Sequence, residues 1–207
     1  MRAHLVFAHP NLASYNGALR NIAIQTLEAS GWQVTVSDLY QMKFKAAADE
    51  DDFTALVDTD FFDLQKEQVY ALQRQTFAKD IQREHQLLSE ADLIIFQFPL
   101  WWHSVPGLLK GYIDRVFSMG WSYGGGRAMV NKKVLVSMTT GAPEFVWTPE
   151  KRGTIKDIFS HLFEGTFAHM GMFNLEPFIV YGAKRHTAAD KESALQSFKM
   201  RLEEIVG

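Results

Sequence analysis

The 207-residue sequence predicts an α/β fold: a five-stranded, doubly wound parallel sheet with helices on both faces. Two observations carry this. Strand-like and helix-like patterns take turns along the whole chain, which is how parallel sheets are built from crossover units. The clearest strand, Leu93 to Phe98, is apolar without alternation, as a strand covered on both faces must be.

The elements follow in order. His4 to Ala8 is a short apolar strand ended by His9-Pro10-Asn11, a turn signal. From about Asn16 to Ser30, Leu19, Ile22, Ala23 and Leu27 share one helix face, and Gly31 sits where a C-cap belongs. Gln33 to Ser37 reads as the second strand. Asp49 to Asp63 is acidic and irregular, and Gln65 to Gln75 and Ile81 to Ser89 are helical with one polar side. After the third strand, Pro106 fits the first turn of a helix reaching about Phe117. Val134 to Met138 is a fourth, buried strand, followed by Thr139-Thr140-Gly141-Ala142-Pro143. Thr154 to Met170 reads as one long helix, Leu175 to Tyr181 as the last strand, and Ala188 to Val206 as a closing helix.

Composition bounds the rest. Length and a 47% hydrophobic, 22% charged make-up fit one globular domain spanning 1–207. A net charge of −3 argues against a basic nucleic-acid footprint. The chain has no cysteine, which excludes disulfides, thiolate metal sites and cysteine nucleophiles, and fits a cytoplasmic protein. The N-terminal apolar run is too short for a signal peptide, and the stretch from Leu93 to Trp102 is interrupted by Gln97 and Pro99. The chain therefore reads as soluble and unexported, without membrane insertion. His161 and His169, eight apart, could share a helix face, but no carboxylate completes a metal site.

Open parallel sheets bind ligands beyond the carboxyl ends of their strands. The segments after strands one, three and four are HPNLASYN, PLWWHS and TTGAPE. Ser14, Tyr15 and Asn16 precede a helix whose first N–H groups favour an anion; they read also as a plain N-cap. Trp101, Trp102 and His103 offer flat apolar faces, or packing for a core or dimer. Thr139, Thr140 and Gly141 can aim hydroxyl and N–H donors at a developing negative charge, or simply form a turn. The three segments together describe a pocket for a phosphate and a flat ring system. Neither GxGxxG nor GxxxxGK[ST] occurs, which argues against a Rossmann dinucleotide site and a P-loop.

FQFPLWWHSVPGLLKGYIDRVF, with GWSYGGG, KKVLVSMTTGAPE, SDLY and HLVFAHPNLASYNGALR, resembles the NAD(P)H:quinone oxidoreductases of flavodoxin-like fold. The similarity runs from His4 to about Leu202, and Asp49 to Ile81 is similar to members that bind FAD. The resemblance implies a flavin-dependent oxidoreductase in which hydride passes from NADH or NADPH through flavin N5 to a quinone or similar small acceptor, with ping-pong kinetics. It implies FAD as cofactor, with FMN as the alternative, and a homodimer with its active site at the interface. Carried over by position, His9, Ser14, Tyr15 and Asn16 fall at the flavin pyrophosphate and ribose. Pro99, Leu100, Trp101, Trp102 and His103 fall along the isoalloxazine; Thr139, Thr140, Gly141 and Ala142 face its pyrimidine end; Asp114 lies near the adenine. Trp102, His103, Thr140 and Gly141 are the implied catalytic positions, and Tyr123 reaches over the partner's site from a glycine-rich flap.

The chain departs from its relatives in two places. Where mammalian members have a tyrosine and a histidine to steady charge on the reduced flavin, this chain has Trp147 and Gly153, with Lys151 and Arg152 close by as further candidates. An arginine of the adenine pocket is replaced, Glu192 being the nearest position. Two other readings of the resemblance are an FMN azoreductase or nitroreductase, and an ancillary regulatory subunit of a potassium-efflux transporter.

Overall fold

The computed structural model describes residues 1–207. Its sheet contains β1 (Arg2–Phe7), β2 (Gln33–Asp38), β3 (Leu93–Pro99), β4 (Lys133–Thr139), β5 (Phe173–Asn174) and β6 (Phe178–Val180). The order is β2-β1-β3-β4-β5, every pairing is parallel, and β6 also pairs with β4. The helices are α1 (Tyr15–Ala29), α2 (Leu64–Arg74), α3 (Lys79–Glu90), α4 (Gly107–Val116), the short α5 (Ile155–Ile158) and α6 (Ser160–Leu162), and α7 (Ala188–Val206). None is long and apolar enough to cross a membrane.

Successive side chains of a strand point to opposite faces, so each central strand feeds two cores. Ile94, Phe96 and Phe98 of β3 join Val134, Val136 and Met138 of β4 against Leu88, Leu109, Tyr112 and Phe167. Leu93 and Ile95 join Leu5, Phe7 and Leu135 against Leu19, Ala23 and Leu27 of α1 and Phe198 and Leu202 of α7. All seven residues of β3 are buried, which explains why its residues are apolar without alternation except for the buried Gln97. Truncating one of these phenylalanines to alanine costs about 3–5 kcal/mol.

Two elements differ from expectation. The sheet has six strands, because Leu175 to Tyr181 does not form a single strand: Pro177, which cannot donate to a ladder, separates Phe173–Asn174 from Phe178–Val180. The helix expected over Thr154 to Met170 breaks into α5, α6 and a π-helical turn, Phe163–Ala168, around Gly165 and Thr166, both poor helix formers. His161 and His169 consequently share no straight helix face. The irregular acidic segment is pinned by a buried ion pair: Arg115 Nε donates to Asp52 (2.8 Å), and Lys45 also reaches Asp52 (3.0 Å).

Beneath α3 lies a buried polar cluster. Burial acts to raise the Glu84 carboxyl, but His4 (3.5 Å) and hydroxyls donated by Ser37 (2.7 Å) and Tyr112 (3.0 Å) outweigh it and hold it below its ordinary value. Next to it, His85 stacks on Trp121 (centroids 3.9 Å apart), and its Nε2 lies 2.8 Å from the Val116 carbonyl. Burial pulls the His85 pKa from 6.5 down to about 4, against the opposing pull of that carbonyl and of Glu84. A base with a depressed folded pKa stabilises the fold fully above its unfolded pKa and loses that contribution as pH falls. His85 should therefore make stability decline between about pH 6.5 and pH 4, at up to about 1.4 kcal/mol per pH unit. Urea midpoints compared across that interval should show a flatter slope in His85→Gln; equal slopes would remove His85 as the cause.

Candidate active site

The registers Phe7↔Gln97 and Pro99↔Thr139 bring β1, β3 and β4 to one edge in step. The chain leaves each strand there, and the three departing segments enclose a cavity of about 510 Å³. That size suits a small-molecule ligand. His9, Ser14, Tyr15, Asn16, Pro99, Leu100, Trp101, Thr139, Thr140 and Gly141 line it.

At the α1 end, Ser14 caps the helix by accepting the Gly17 N–H on its hydroxyl (3.1 Å). The preceding loop is folded tightly: Asn11 Oδ1 accepts the Ala13 N–H (2.8 Å), and a Cβ on Gly17 would lie 1.9 Å from the Leu12 carbonyl. The N–H groups of Tyr15 and Asn16 have no partner within the chain. They are the free donors that a helix start presents to an anion. The Asn16 side chain holds this helix end to the sheet. It donates to Thr139 Oγ1 (2.9 Å) and accepts from Gln97 Nε2 (2.8 Å), all three residues being buried.

On the β3 side, Trp101 and Ser104 exchange two backbone hydrogen bonds (3.1 and 3.0 Å) around a tight turn. Trp102 (φ +49°) and His103 (φ +56°) are left-handed, at a cost of roughly 1–2 kcal/mol each. The turn leaves both N–H groups unbonded and the Trp102 ring 98% exposed. Trp102 and His103 do not line the cavity itself: Trp101 does, its ring 6.2 Å from that of His9, while His103 packs edge-on against Trp147 at 5.6 Å.

The β4 turn corrects one expectation. The Thr140 hydroxyl is not a free donor, because it donates to the Ala142 carbonyl (2.6 Å) and accepts the Gly182 N–H (3.2 Å). What the turn offers instead is the unbonded N–H groups of Gly141 and Ala142. Ala142 lies behind the lining, its carbonyl also accepting Trp147 Nε1 (3.3 Å). Lys151 and Arg152 do not reach the cavity either. Lys151 donates to the Phe145 carbonyl (2.9 Å) and Arg152 stands over the Trp147 ring.

Asp114 lies elsewhere, in a second cavity of about 460 Å³ shared with Tyr123 and His169, and nothing within this chain brings it to the first. Conversely, the first cavity has lining residues that sequence reasoning missed: Ala183 and Lys184 after β6, and Lys191 in the first turn of α7. Tyr15 belongs to this wall too, its hydroxyl 3.1 Å from His186 Nδ1; burial, then Asp190, raises its pKa above the ordinary tyrosine range. The only signal was positional, since these residues follow another parallel strand at the same sheet edge.

Comparison with known proteins follows the same outline. The family described as Flavodoxin-like fold matches residues 1–206. The NAD(P)H dehydrogenase (quinone) 1 of Cavia porcellus is 37% identical over 212 residues, covering 99% of this chain and 77% of the relative. The ribosyldihydronicotinamide dehydrogenase (quinone) of Pongo abelii is 35% identical, covering 97% and 90%. Among solved structures, a Klebsiella pneumoniae protein assigned as a quinone reductase superposes with a TM-score of 0.95 at 34% identity, covering 99% of this chain and 85% of that one.

The Asn16 bridge makes a direct prediction. Asn16→Ala leaves the buried Gln97 amide without its acceptor, which costs about 1–3 kcal/mol. Thermal unfolding should show a lower Tm for this variant, and an unchanged Tm would mean that the bridge does not hold α1 to the sheet.

Proposed function

The chain belongs to the flavodoxin-like fold family, and from that premise we propose that it is a flavin-dependent NAD(P)H:quinone oxidoreductase, its 207 residues working as one domain. The observation that carries this is the convergence of three crossings on one cavity: a helix start with free N–H groups, an aromatic turn, and a small turn with free N–H groups. The donor set fits a flavin. The Tyr15 and Asn16 N–H groups suit a phosphate, and that of Gly141 on the lining suits the polar edge of a flat ring, with the free N–H groups of Trp102, His103 and Ala142 in the flanking turns.

A bound flavin supplies the chemistry, two-electron exchange of hydride between NAD(P)H and a quinone. The chain supplies placement and charge. Gly141 and Ala142 present fixed N–H dipoles, which meet developing negative charge without reorganising. Trp102 and His103 form the wall beside which nicotinamide and quinone alternate, in one shared slot. FAD is the proposed cofactor, and the cytoplasm, on the absence of cysteine, the proposed compartment.

The working unit is a homodimer. Trp102 stands almost wholly in water, and Asp114 and Tyr123 lie in a separate cavity of the same chain. A second copy laid over the aromatic turn covers that ring and adds its own Asp114 and Tyr123 to the site.

Purified protein should be yellow and release a flavin on denaturation, and its NAD(P)H–quinone initial rates should give parallel double-reciprocal lines. Intersecting lines would eliminate the shared slot; a colourless protein that no flavin reconstitutes would eliminate the enzyme. In Trp102→Ala, flavin content should persist while KM for quinone rises roughly tenfold, the scale of one lost aromatic contact.

A further inference from the structure

The outer wall of the first cavity carries two cations that this reading does not yet use. Lys184 leaves the short turn Ala183–Arg185, and Lys191 stands in the first turn of α7. Neither ammonium forms a salt bridge within the chain. The acid closest in sequence on the N-terminal side of Lys191, Asp190, is already engaged: it accepts the Thr187 N–H (2.9 Å) and hydroxyl (2.7 Å) in a capping box, bonds that hold its carboxyl below the usual range. Lys191 Nζ instead lies over the Tyr15 ring, 5.5 Å from its centre, which carries the positive charge to the α1 end of the cavity.

Two ammonium groups without an acid partner on one cavity wall make that wall attractive to an anion. The free N–H groups of Tyr15 and Asn16 already suit one phosphate. The lysines come from different elements and line the same cavity, Lys191 against the Tyr15 ring. We infer that Lys184 and Lys191 hold the second phosphate of a flavin dinucleotide, and so make the cavity select FAD over FMN. The inference rests on the flavin reading above. It also gives this chain a cation one position before Glu192, where its relatives' arginine is replaced.

The test is direct binding. Full-length protein, freed of flavin by dialysis, is titrated with FAD and with FMN while flavin fluorescence is followed. Wild type should prefer FAD by roughly a hundredfold, about tenfold for each charge-assisted contact. The double variant Lys184→Ala/Lys191→Ala should lose most of that preference by weakening FAD alone, with FMN affinity unchanged, and Lys184→Arg/Lys191→Arg should restore it. Equal affinities in wild type, equal losses for both flavins, or undiminished FAD binding in the double variant would each overturn the inference while leaving the flavin reading intact. So would an effect confined to KM for NADPH against NADH, which would assign the lysines to the 2′-phosphate of the reductant. Wild type binding neither flavin would instead bring down the flavin reading, and the inference with it.

Discussion

The cavity depends on one buried amide. Asn16 reaches from the first turn of α1 to Gln97 of β3 and Thr139 of β4, and joins three elements that are otherwise distant in sequence. It adds a direct tie to the sheet to the loop from His9 to Ser14 and the Tyr15 contact with His186. With it, the unbonded N–H groups of the helix are held at a set height over the ends of both central strands. The choice of side chain is constrained. An amide both donates and accepts, which a carboxylate or hydroxyl in that position could not do in the same two directions. Sheet register makes this possible, because Pro99 and Thr139 are direct neighbours and both strands stop together.

How much of this was legible in the sequence follows from the range of each interaction. β1, β3 and β4 were readable because burial on both faces selects mostly apolar residues without alternation, a local signal. The loops that follow them could be placed at the cavity from chain order alone, through the rule for parallel sheets. Interactions set by tertiary contact were not readable. That the Thr140 hydroxyl is consumed by Ala142 and Gly182 depends on β6 returning beside β4. That Lys184 and Lys191 face the cavity depends on α7 packing beside α1, and two lysines in a polar segment look like any solvated surface. The break of the expected 154–170 helix had a visible cause in Gly165, but its periodic apolar residues, Ile155, Phe159 and Phe167, concealed it.

The buried ionisable groups and the donors around the cavity do different work. Glu84, His85, Asp52 and Arg115 lie under α3 and α4, away from the cavity. Each is matched by specific partners, and their role is to fix how the 45–85 segment meets α4, since an unmatched charge there would be costly. At the cavity the pattern is reversed. Donors at Tyr15, Asn16, Trp102, His103, Gly141 and Ala142 have no partner in the chain, and two lysines have no acid. Donors that the chain itself leaves unmatched along one edge are where an anionic, flat ligand would supply acceptors.

The aromatic turn extends this argument from ligand to partner. Trp102 and His103 adopt left-handed backbone that neither side chain favours, and Trp102 holds its ring in water, where it gains no burial. Both are unfavourable in an isolated chain, and both come from the same two residues. The same left-handed turn leaves its two N–H groups without partners in the chain and the Trp102 ring exposed. A local cost of this kind persists only where surrounding contacts repay it. The lone chain repays part of it, through the paired hydrogen bonds of Trp101 with Ser104 and the edge contact of His103 with Trp147. What remains is the exposed indole, and it is the strongest physical reason in this fold for a second copy at the site.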